Sequence, residues 1–277
     1  MYTYQELIPS WASKLDIYEK QEAESLVSWL LEHHLGWRRS DLLNEADESS
    51  FPPKIFDDFE RLRTGEPIQY ILGKGPFYGR EFVVSPATLI PRNETEELVH
   101  LIIKENPKAG LRILDIGTGT GCIPISLALE MNMPEVFGVD ISEEALEIAE
   151  KNAEALGAKV TFSKIDIVSQ TPEVSVLDIL VSNPPYIPEC EKTEMHRNVL
   201  DFEPELALFV SNEDSLIFYR TIAEKGKKLL KSGGKLYFEI NEKYGEEVAF
   251  LLRETNYSEV KILKDLNGKD RMVKARK

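Results

Sequence analysis

The chain has few residues of the kinds that build disulfide frameworks or metal sites. Its 277 residues include two cysteines, Cys122 and Cys190, and four histidines. The cysteines lie far apart, and neither they nor the histidines show the spacing of a metal-ligand set. We therefore expect no disulfide framework and no bound metal, so other side chains must carry any chemistry.

Long apolar runs and an excess of positive charge are also missing. No run approaches the ~20 apolar residues that a membrane-spanning helix needs, and residues 1–10 lack the basic start of a signal peptide. The formal net charge is -15, which argues against a protein that grips phosphate backbones through broad basic surfaces. We expect a cytoplasmic monomer that binds neither membranes nor, stably, nucleic acid.

The first quarter of the chain has the pattern of helices. Residues 19–35 carry apolar side chains at three-and-four spacing up to Gly36, and a further helix is predicted over residues 54–63. This predicts a small helical bundle over residues 1–72. Glycines and a strand candidate at 80–85 then predict a β-hairpin linker over residues 73–92. Asn93 is predicted to cap the next helix, with Glu96 completing a capping box.

Residues 93–277 alternate between strand and helix patterns. Strands are predicted at 112–116, 136–140, 160–165, 178–182 and 235–240, and helices at 122–130, 143–156, 215–230 and 246–255. This alternation predicts an α/β fold with a doubly wound, mostly parallel, seven-stranded sheet. The dipeptide Asn267-Gly268 separates two final strand candidates and predicts a hairpin, so the last strand should run antiparallel.

A glycine-rich turn follows the first strand of this region. The segment Asp115-Ile116-Gly117-Thr118-Gly119-Thr120-Gly121 leads from the strand into a helix that opens at Cys122. Glycines let a backbone turn sharply and approach a ligand closely. The spacing differs from the G-x-G-x-x-G pattern of pyrophosphate sites, and Asp115 would repel a diphosphate. The loop therefore favours a ligand with an amino group or hydroxyls.

Acidic residues follow three successive strands. Asp115 and Asp140 end the first two strands, and Asp166 with Ile167 follows the third. The carboxyl ends of parallel strands form the edge where such sheets bind ligands. Asp140 suits two ribose hydroxyls, and Asp166 suits an adenine amino group, although an Asp at a strand end also commonly caps a turn.

The fourth strand ends in Asn183-Pro184-Pro185-Tyr186. The Asn side-chain oxygen and the proline carbonyls accept hydrogen bonds, the prolines lack N–H groups, and the tyrosine offers a flat face. Together these four residues form a cup of hydrogen-bond acceptors, and such a cup suits a planar NH2 group. We interpret these four residues as catalytic, with Asn183 Oδ1 and the Pro184 carbonyl each accepting one N–H of the substrate.

Together, the glycine loop and this cup resemble the class I S-adenosylmethionine-dependent methyltransferases. The resemblance implies that the chain binds S-adenosyl-L-methionine and releases S-adenosyl-L-homocysteine. The residues it assigns to cofactor binding are Asp115, Gly117, Thr118, Gly119, Thr120, Gly121, Asp140, Asp166, Ile167 and Asn183.

Further segments resemble the bacterial release factor glutamine methyltransferases, which are protein-(glutamine-N5) methyltransferases. These segments are residues 65–73, 77–82, 89–96, 202–208 and 264–271, and they depart from the family at Asn93, where proline is usual. The resemblance implies that the substrate is the glutamine of the Gly-Gly-Gln motif in class I peptide chain release factors, held in part by residues 1–72. The cup alone leaves adenine-N6 and guanine-N2 nucleic-acid methyltransferases open as alternatives.

Overall fold

The computed structural model describes residues 2–277, apart from the side chain of Glu194. The chain divides into two compact units. The first consists of the described residues of Met1–Gly73 with His196–Phe202, and the second of Lys74–Met195 with Glu203–Lys277. Within the described residues, no helix is both long enough and apolar enough to cross a membrane.

The first unit is mainly helical, which confirms the predicted bundle. Its helices share one apolar core, in which Trp11, Val27, Leu30 and Ile55 are each at most 2% exposed. Gly36 adopts a φ of 64° directly after the second helix, so glycine ends that helix as predicted. The elements are β1 (Tyr2–Thr3), α1 (Tyr4–Ala12), α2 (Lys20–Leu35), β2 (Glu45–Ala46), α3 (Pro53–Arg63) and α4 (Ile68–Leu72), with 3₁₀ turns at Arg39–Asp41 and Glu48–Ser50.

The remaining elements belong to the second unit, except α8, which groups with the first. They are β3 (Lys74–Phe77), β4 (Arg80–Val83), α5 (Asn93–Glu105), β5 (Arg112–Ile116), α6 (Cys122–Glu130), β6 (Glu135–Asp140), α7 (Glu143–Leu156), β7 (Val160–Lys164), β8 (Leu177–Ser182), β9 (Ile187–Pro188), α8 (Arg197–Phe202), α9 (Glu205–Leu208), β10 (Phe209–Val210), α10 (Ile217–Leu229), β11 (Leu230–Glu239), α11 (Gly245–Glu254), β12 (Ser258–Lys264) and β13 (Asp270–Arg276), with a 3₁₀ turn at Glu189–Glu194.

A seven-stranded sheet organises the second unit, in the order β12-β13-β11-β8-β5-β6-β7. The pairs from β11 to β7 are parallel, and β13 runs antiparallel to both of its neighbours. The predicted doubly wound sheet with an antiparallel last strand is therefore confirmed. The hairpin of β3 and β4 forms a separate two-stranded sheet.

Both faces of the seven-stranded sheet are covered by apolar side chains. In β5, Leu114 packs into a cluster with Tyr219 and Ile222 of α10, whereas Ile113 packs into a second cluster with Leu98 of α5. Successive residues of a strand point to opposite faces, so a sheet buried on both sides needs such continuous apolar strands. This packing holds the ends of the central strands in fixed relative positions.

The predicted cap of α5 is wrong. The helix begins at Asn93 itself, with Arg92 at the N-cap position, and no side chain caps it there. Glu96 does not complete a capping box, because its Oε1 accepts a hydrogen bond of 2.8 Å from the backbone N–H of Tyr78 in the hairpin. A contact between distant segments thus replaces the local one.

Candidate active site

The ends of three neighbouring strands meet at one edge of the sheet. Ile116, the last residue of β5, pairs with Val139 of β6 and with Ser182 of β8. The Ser182 hydroxyl also donates to the Ile116 carbonyl over 2.6 Å. The residues that follow, Gly117, Asp140 and Asn183, therefore emerge side by side.

The glycine loop is held by backbone hydrogen bonds to the end of β6. The N–H groups of Gly117 and Thr118 both donate to the Val139 carbonyl, over 2.8 and 3.0 Å. At Gly121, where φ is 78°, a Cβ atom would lie 2.9 Å from Cδ1 of Ile125 and 3.1 Å from Cβ of Ala149. Glycine there allows the loop to pack directly against helices α6 and α7.

Asp140 joins the loop to the end of β6. Its Oδ2 accepts the Gly119 N–H over 2.8 Å, and its Oδ1 accepts the Ser142 N–H over 3.0 Å. Burial raises the pKa of this carboxyl, and the backbone donors oppose the rise. Each oxygen keeps a further lone pair that can accept a ligand hydroxyl.

Asp166 forms a turn of its own after β7. Its Oδ1 accepts the Val168 N–H over 2.9 Å, and its Oδ2 accepts the Ser169 hydroxyl over 2.6 Å. These bonds lower the pKa of the carboxyl, so it is ionised at neutral pH. The residue caps a turn and also lines the cavity described below.

Asp115 is fully buried, and neither of its carboxylate oxygens has a hydrogen-bond partner among the described residues. Burial raises its pKa to about 7, the nearby Thr118 hydroxyl opposes the rise, and the charge of Asp140 adds to it. An orphaned carboxyl group beneath the glycine loop fits a site that receives a cationic ligand group.

Asn183 is half-buried, and its Nδ2 donates to Oγ1 of Thr95 over 3.3 Å. Thr95 in turn donates to Oε2 of Glu239 over 2.7 Å. Sequence reasoning missed both partners. Glu239 ends β11, whose Phe238 pairs with Ser182, so it lies beside Asn183. A carboxylate at the end of a strand that neighbours a candidate catalytic residue is the signal that could have identified it.

A second missed contact joins two segments near the cup. Glu203 is 5% exposed and accepts hydrogen bonds from the Arg92 guanidinium over 2.5 Å and the Ile90 N–H over 3.3 Å. Arg92 and Pro204 both line the cavity. This ion pair therefore fixes the two segments at the cavity wall.

These strand ends and segments enclose a cavity of about 730 Å³. Of the residues predicted from the sequence, the ones that line it are Gly117, Thr118, Gly119, Thr120, Asp140, Asp166, Ile167, Asn183, Pro184 and Pro185. Asp115, Gly121 and Tyr186 are not among the lining residues. Tyr186 packs instead against the apolar cluster that includes Tyr219, and burial raises its pKa.

The fold and site define a class of protein. Residues 107–259 match the family model described as a methyltransferase domain, and residues 6–73 match the one described as the PrmC N-terminal domain. The crystal structure of a methyltransferase from Pyrococcus furiosus has the same fold, with a TM-score of 0.54 and 17% identity over 79% of this chain and 98% of that one. The chain thus belongs to the S-adenosylmethionine-dependent methyltransferases.

Similar proteins of known family show which kind of methyltransferase this chain is. A release factor glutamine methyltransferase of Bacteroides thetaiotaomicron is 50% identical over 268 residues, covering 94% of this chain and 95% of the relative. One of Flavobacterium psychrophilum is 44% identical over 265 residues, covering 93% of each chain. The chain belongs to the release factor glutamine methyltransferase family.

Proposed function

We propose that the chain methylates N5 of the glutamine in the Gly-Gly-Gln motif of class I peptide chain release factors, using S-adenosyl-L-methionine. The observation that carries this proposal is that the glycine loop and Asn183 line the same cavity in a member of this family. The cavity joins a place for the cofactor to an acceptor aimed at a planar nitrogen.

The residues present fit S-adenosyl-L-methionine. The loop from Gly117 to Thr120 would hold the methionine part, with the orphaned carboxyl of Asp115 beneath it to attract the amino group. Asp140 would accept the ribose hydroxyls, as a carboxylate at the end of the second strand does in related folds. Asp166 and Ile167 would bind the adenine. When bound, the cofactor supplies an electrophilic methyl group.

An amide nitrogen is a weak nucleophile because its lone pair is delocalised into the carbonyl. Asn183 Oδ1 and the Pro184 carbonyl each accept one N–H of the glutamine amide, which holds the nitrogen and stabilises the positive charge that develops on it. Pro185 has no N–H to compete for these acceptors. Tyr186 packs against the apolar cluster and does not line the cavity, so its part would be to hold the cup in place rather than to contact the glutamine. After transfer the nitrogen carries a positive charge and is strongly acidic, so it gives its proton to water.

We also propose that three segments of the chain have separate roles. Residues 1–72 bind the release factor, residues 73–92 form the linking hairpin, and residues 93–277 carry out methyl transfer. The separate apolar core of the helical unit supports this assignment, because a unit that folds around its own core can present a binding surface of its own.

The test is a transfer assay with methyl-labelled S-adenosyl-L-methionine. The substrates are a class I release factor, the same factor with its Gly-Gly-Gln glutamine replaced by alanine, duplex DNA and RNA. We expect label on the unmodified factor alone, located by peptide mass spectrometry on that glutamine. Label on a nucleic acid, or equal label on both factors, would contradict the proposal.

A further inference from the structure

The Asn183 amide can face the substrate with its oxygen, Oδ1, or with its nitrogen, Nδ2. This orientation decides whether the cup accepts or donates a hydrogen bond. The oxygen and nitrogen of an Asn amide have nearly the same shape, so packing alone does not distinguish the two orientations. With Oδ1 towards the substrate, the group accepts an N–H. With Nδ2 towards the substrate, it would oppose an N–H with another donor. Something must therefore fix the orientation.

Three side chains from separate elements form a directional chain of hydrogen bonds that can do so. A carboxylate accepts hydrogen bonds and donates none. When Glu239 is ionised, the Thr95 hydroxyl must donate its single proton to Oε2, at 2.7 Å. Its Oγ1 can then only accept, and it accepts from Nδ2 of Asn183 at 3.3 Å. Nδ2 is thereby directed inward and Oδ1 is left for the substrate.

Burial of these hydrogen-bonded side chains strengthens their hold on the orientation of the Asn183 amide. Thr95 is 3% exposed and Glu239 is 2% exposed, so the hydrogen bond between these two side chains is shielded from water. Buried polar networks of this kind fix a unique arrangement when each member has its partner. The Asn183 amide also lies close enough to the Glu239 carboxyl to lower its pKa.

We propose that Glu239 and Thr95 are positioning residues, which hold Asn183 with Oδ1 facing the substrate nitrogen. This inference rests on the proposed function, because it assigns the orientation that an N–H substrate requires. Thr95 lines the cavity, whereas Glu239 is not among its lining residues. Both act through the Asn183 amide.

A dependence on pH follows, because protonated Glu239 can donate to Thr95 Oγ1. The hydroxyl is then free to donate to Oδ1 of Asn183, which reverses the amide. Burial raises the pKa of Glu239 to about 7, and Thr95 and Arg271 oppose the rise. Activity should thus rise with pH through about 7. Glu239 interacts electrostatically with titratable and charged groups on several elements, namely Arg271 on β13, Glu94 on α5, Cys122 on α6, Tyr219 on α10 and Tyr186 after β8.

The kinetic test uses near-isosteric variants of the full chain. We expect Thr95→Val and Glu239→Gln to lower kcat about tenfold, less than the ~10²–10³-fold typical of removing the aimed group itself. Affinity for S-adenosyl-L-homocysteine and KM for the release factor should stay within about threefold, because the residues act on orientation. Thr95→Ser, which keeps the hydroxyl, should restore kcat. Glu105→Gln, at the far end of α5, is the matched control.

The profile of kcat against pH separates positioning from a structural role. Wild-type protein should lose activity below about pH 7, and Glu239→Gln should lack this acidic limb. The proposal is overturned if Thr95→Val keeps kcat within twofold, if the limb is unchanged in Glu239→Gln, or if cofactor affinity falls in parallel with kcat.

A measurement without substrate distinguishes failure of this inference from failure of the proposed function. In wild-type protein with ¹⁵N-labelled asparagine, the Asn183 side-chain NH2 resonance, assigned with Asn183→Ala, should shift with a midpoint near pH 7. A resonance that does not titrate would overturn the positioning role, whichever substrate the enzyme methylates. A titrating resonance in a protein that does not label release factors would reject only the proposed function.

Discussion

Single residues set the electrostatics of the site, and two of them are fully buried carboxyl groups. Asp115 has no hydrogen-bond partner among the described residues, whereas Glu239 accepts from Thr95. Burial raises the pKa of each to about 7. Because the folded state holds these protons more tightly than the unfolded chain does, both groups lower the free energy of unfolding as pH rises from about 4 to about 7.

Binding of S-adenosyl-L-methionine should therefore release protons. A cationic ligand group near Asp115 favours the ionised carboxyl and lowers its pKa. Near pH 7 we expect up to about half a proton to be released, and almost none above pH 9. Calorimetry in buffers of different ionisation enthalpy measures this number. The Asp115→Asn variant, which cannot titrate, is the control, and equal release by both proteins would contradict the role of Asp115.

Asn183→Ala should separate chemistry from cofactor binding. Loss of one aimed acceptor typically costs ~10²–10³ in rate, and we expect kcat for the release factor to fall by that amount. Affinity for S-adenosyl-L-homocysteine should change less than about threefold, because the loop and Asp140 remain. Asn132→Ala, at an exposed asparagine, is the matched control. Activity of Asn183→Ala within threefold of wild type would refute the mechanism.

Among the elements, the turn from β5 into α6 is held by a side chain of a neighbouring helix. Asn152 of α7 supports it: the side chain accepts the Val83 N–H over 2.7 Å and donates to the carbonyls of Val83 and Thr120, each over 3.0 Å. One buried side chain thus connects the hairpin to the glycine loop. The loop is shaped by its neighbours as well as by its own glycines.

Two glycine substitutions separate backbone strain from packing. Gly121 and Gly157 both have positive φ, 78° and 69°, but a Cβ atom would meet Ile125 and Ala149 only at Gly121 and nothing within 4 Å at Gly157. We expect Gly157→Ala to cost about 1 kcal/mol from strain, and Gly121→Ala about 1–3 kcal/mol more from overpacking. Urea unfolding measures both. Equal losses would show that the packing of the loop against α7 has no energetic weight.

The whole molecule contains separate apolar cores in its two units. All three tryptophans, Trp11, Trp29 and Trp37, lie in or against the core of the first unit, whereas the cavity belongs to the second. Tryptophan fluorescence therefore reports on the first unit alone. A ligand of the cavity should stabilise the second unit, because it binds only when that unit is folded.

Thermal melts with S-adenosyl-L-homocysteine test this separation. At 100 times its dissociation constant the ligand should add about 2.7 kcal/mol to the stability of the second unit. At about 2–4 °C per kcal/mol for a unit of this size, we expect the circular dichroism transition of this unit to move up by about 5–11 °C. The tryptophan midpoint should stay in place. A parallel shift of the fluorescence would mean that the two units unfold together.

Local patterns in the sequence were sufficient to predict most of the helices and strands of the fold. The predicted strand 112–116 and helices 122–130 and 143–156 coincide with β5, α6 and α7. Apolar periodicity, glycine turns and the Asn267-Gly268 hairpin act over a few residues, so they can be recognised without tertiary contacts. The cap of α5 failed because Glu96 binds Tyr78, a partner 18 residues away.

The sequence by itself determined the alternation of strands and helices, the antiparallel end of the sheet, and the residues that stand where the central strands end. Tertiary structure alone decided which distant side chains meet there. Thr95 lies 88 residues from Asn183 and 144 from Glu239, and the order and register of the strands bring the three together. The physical reason is that periodicity depends on neighbouring residues, whereas convergence depends on how the whole sheet packs.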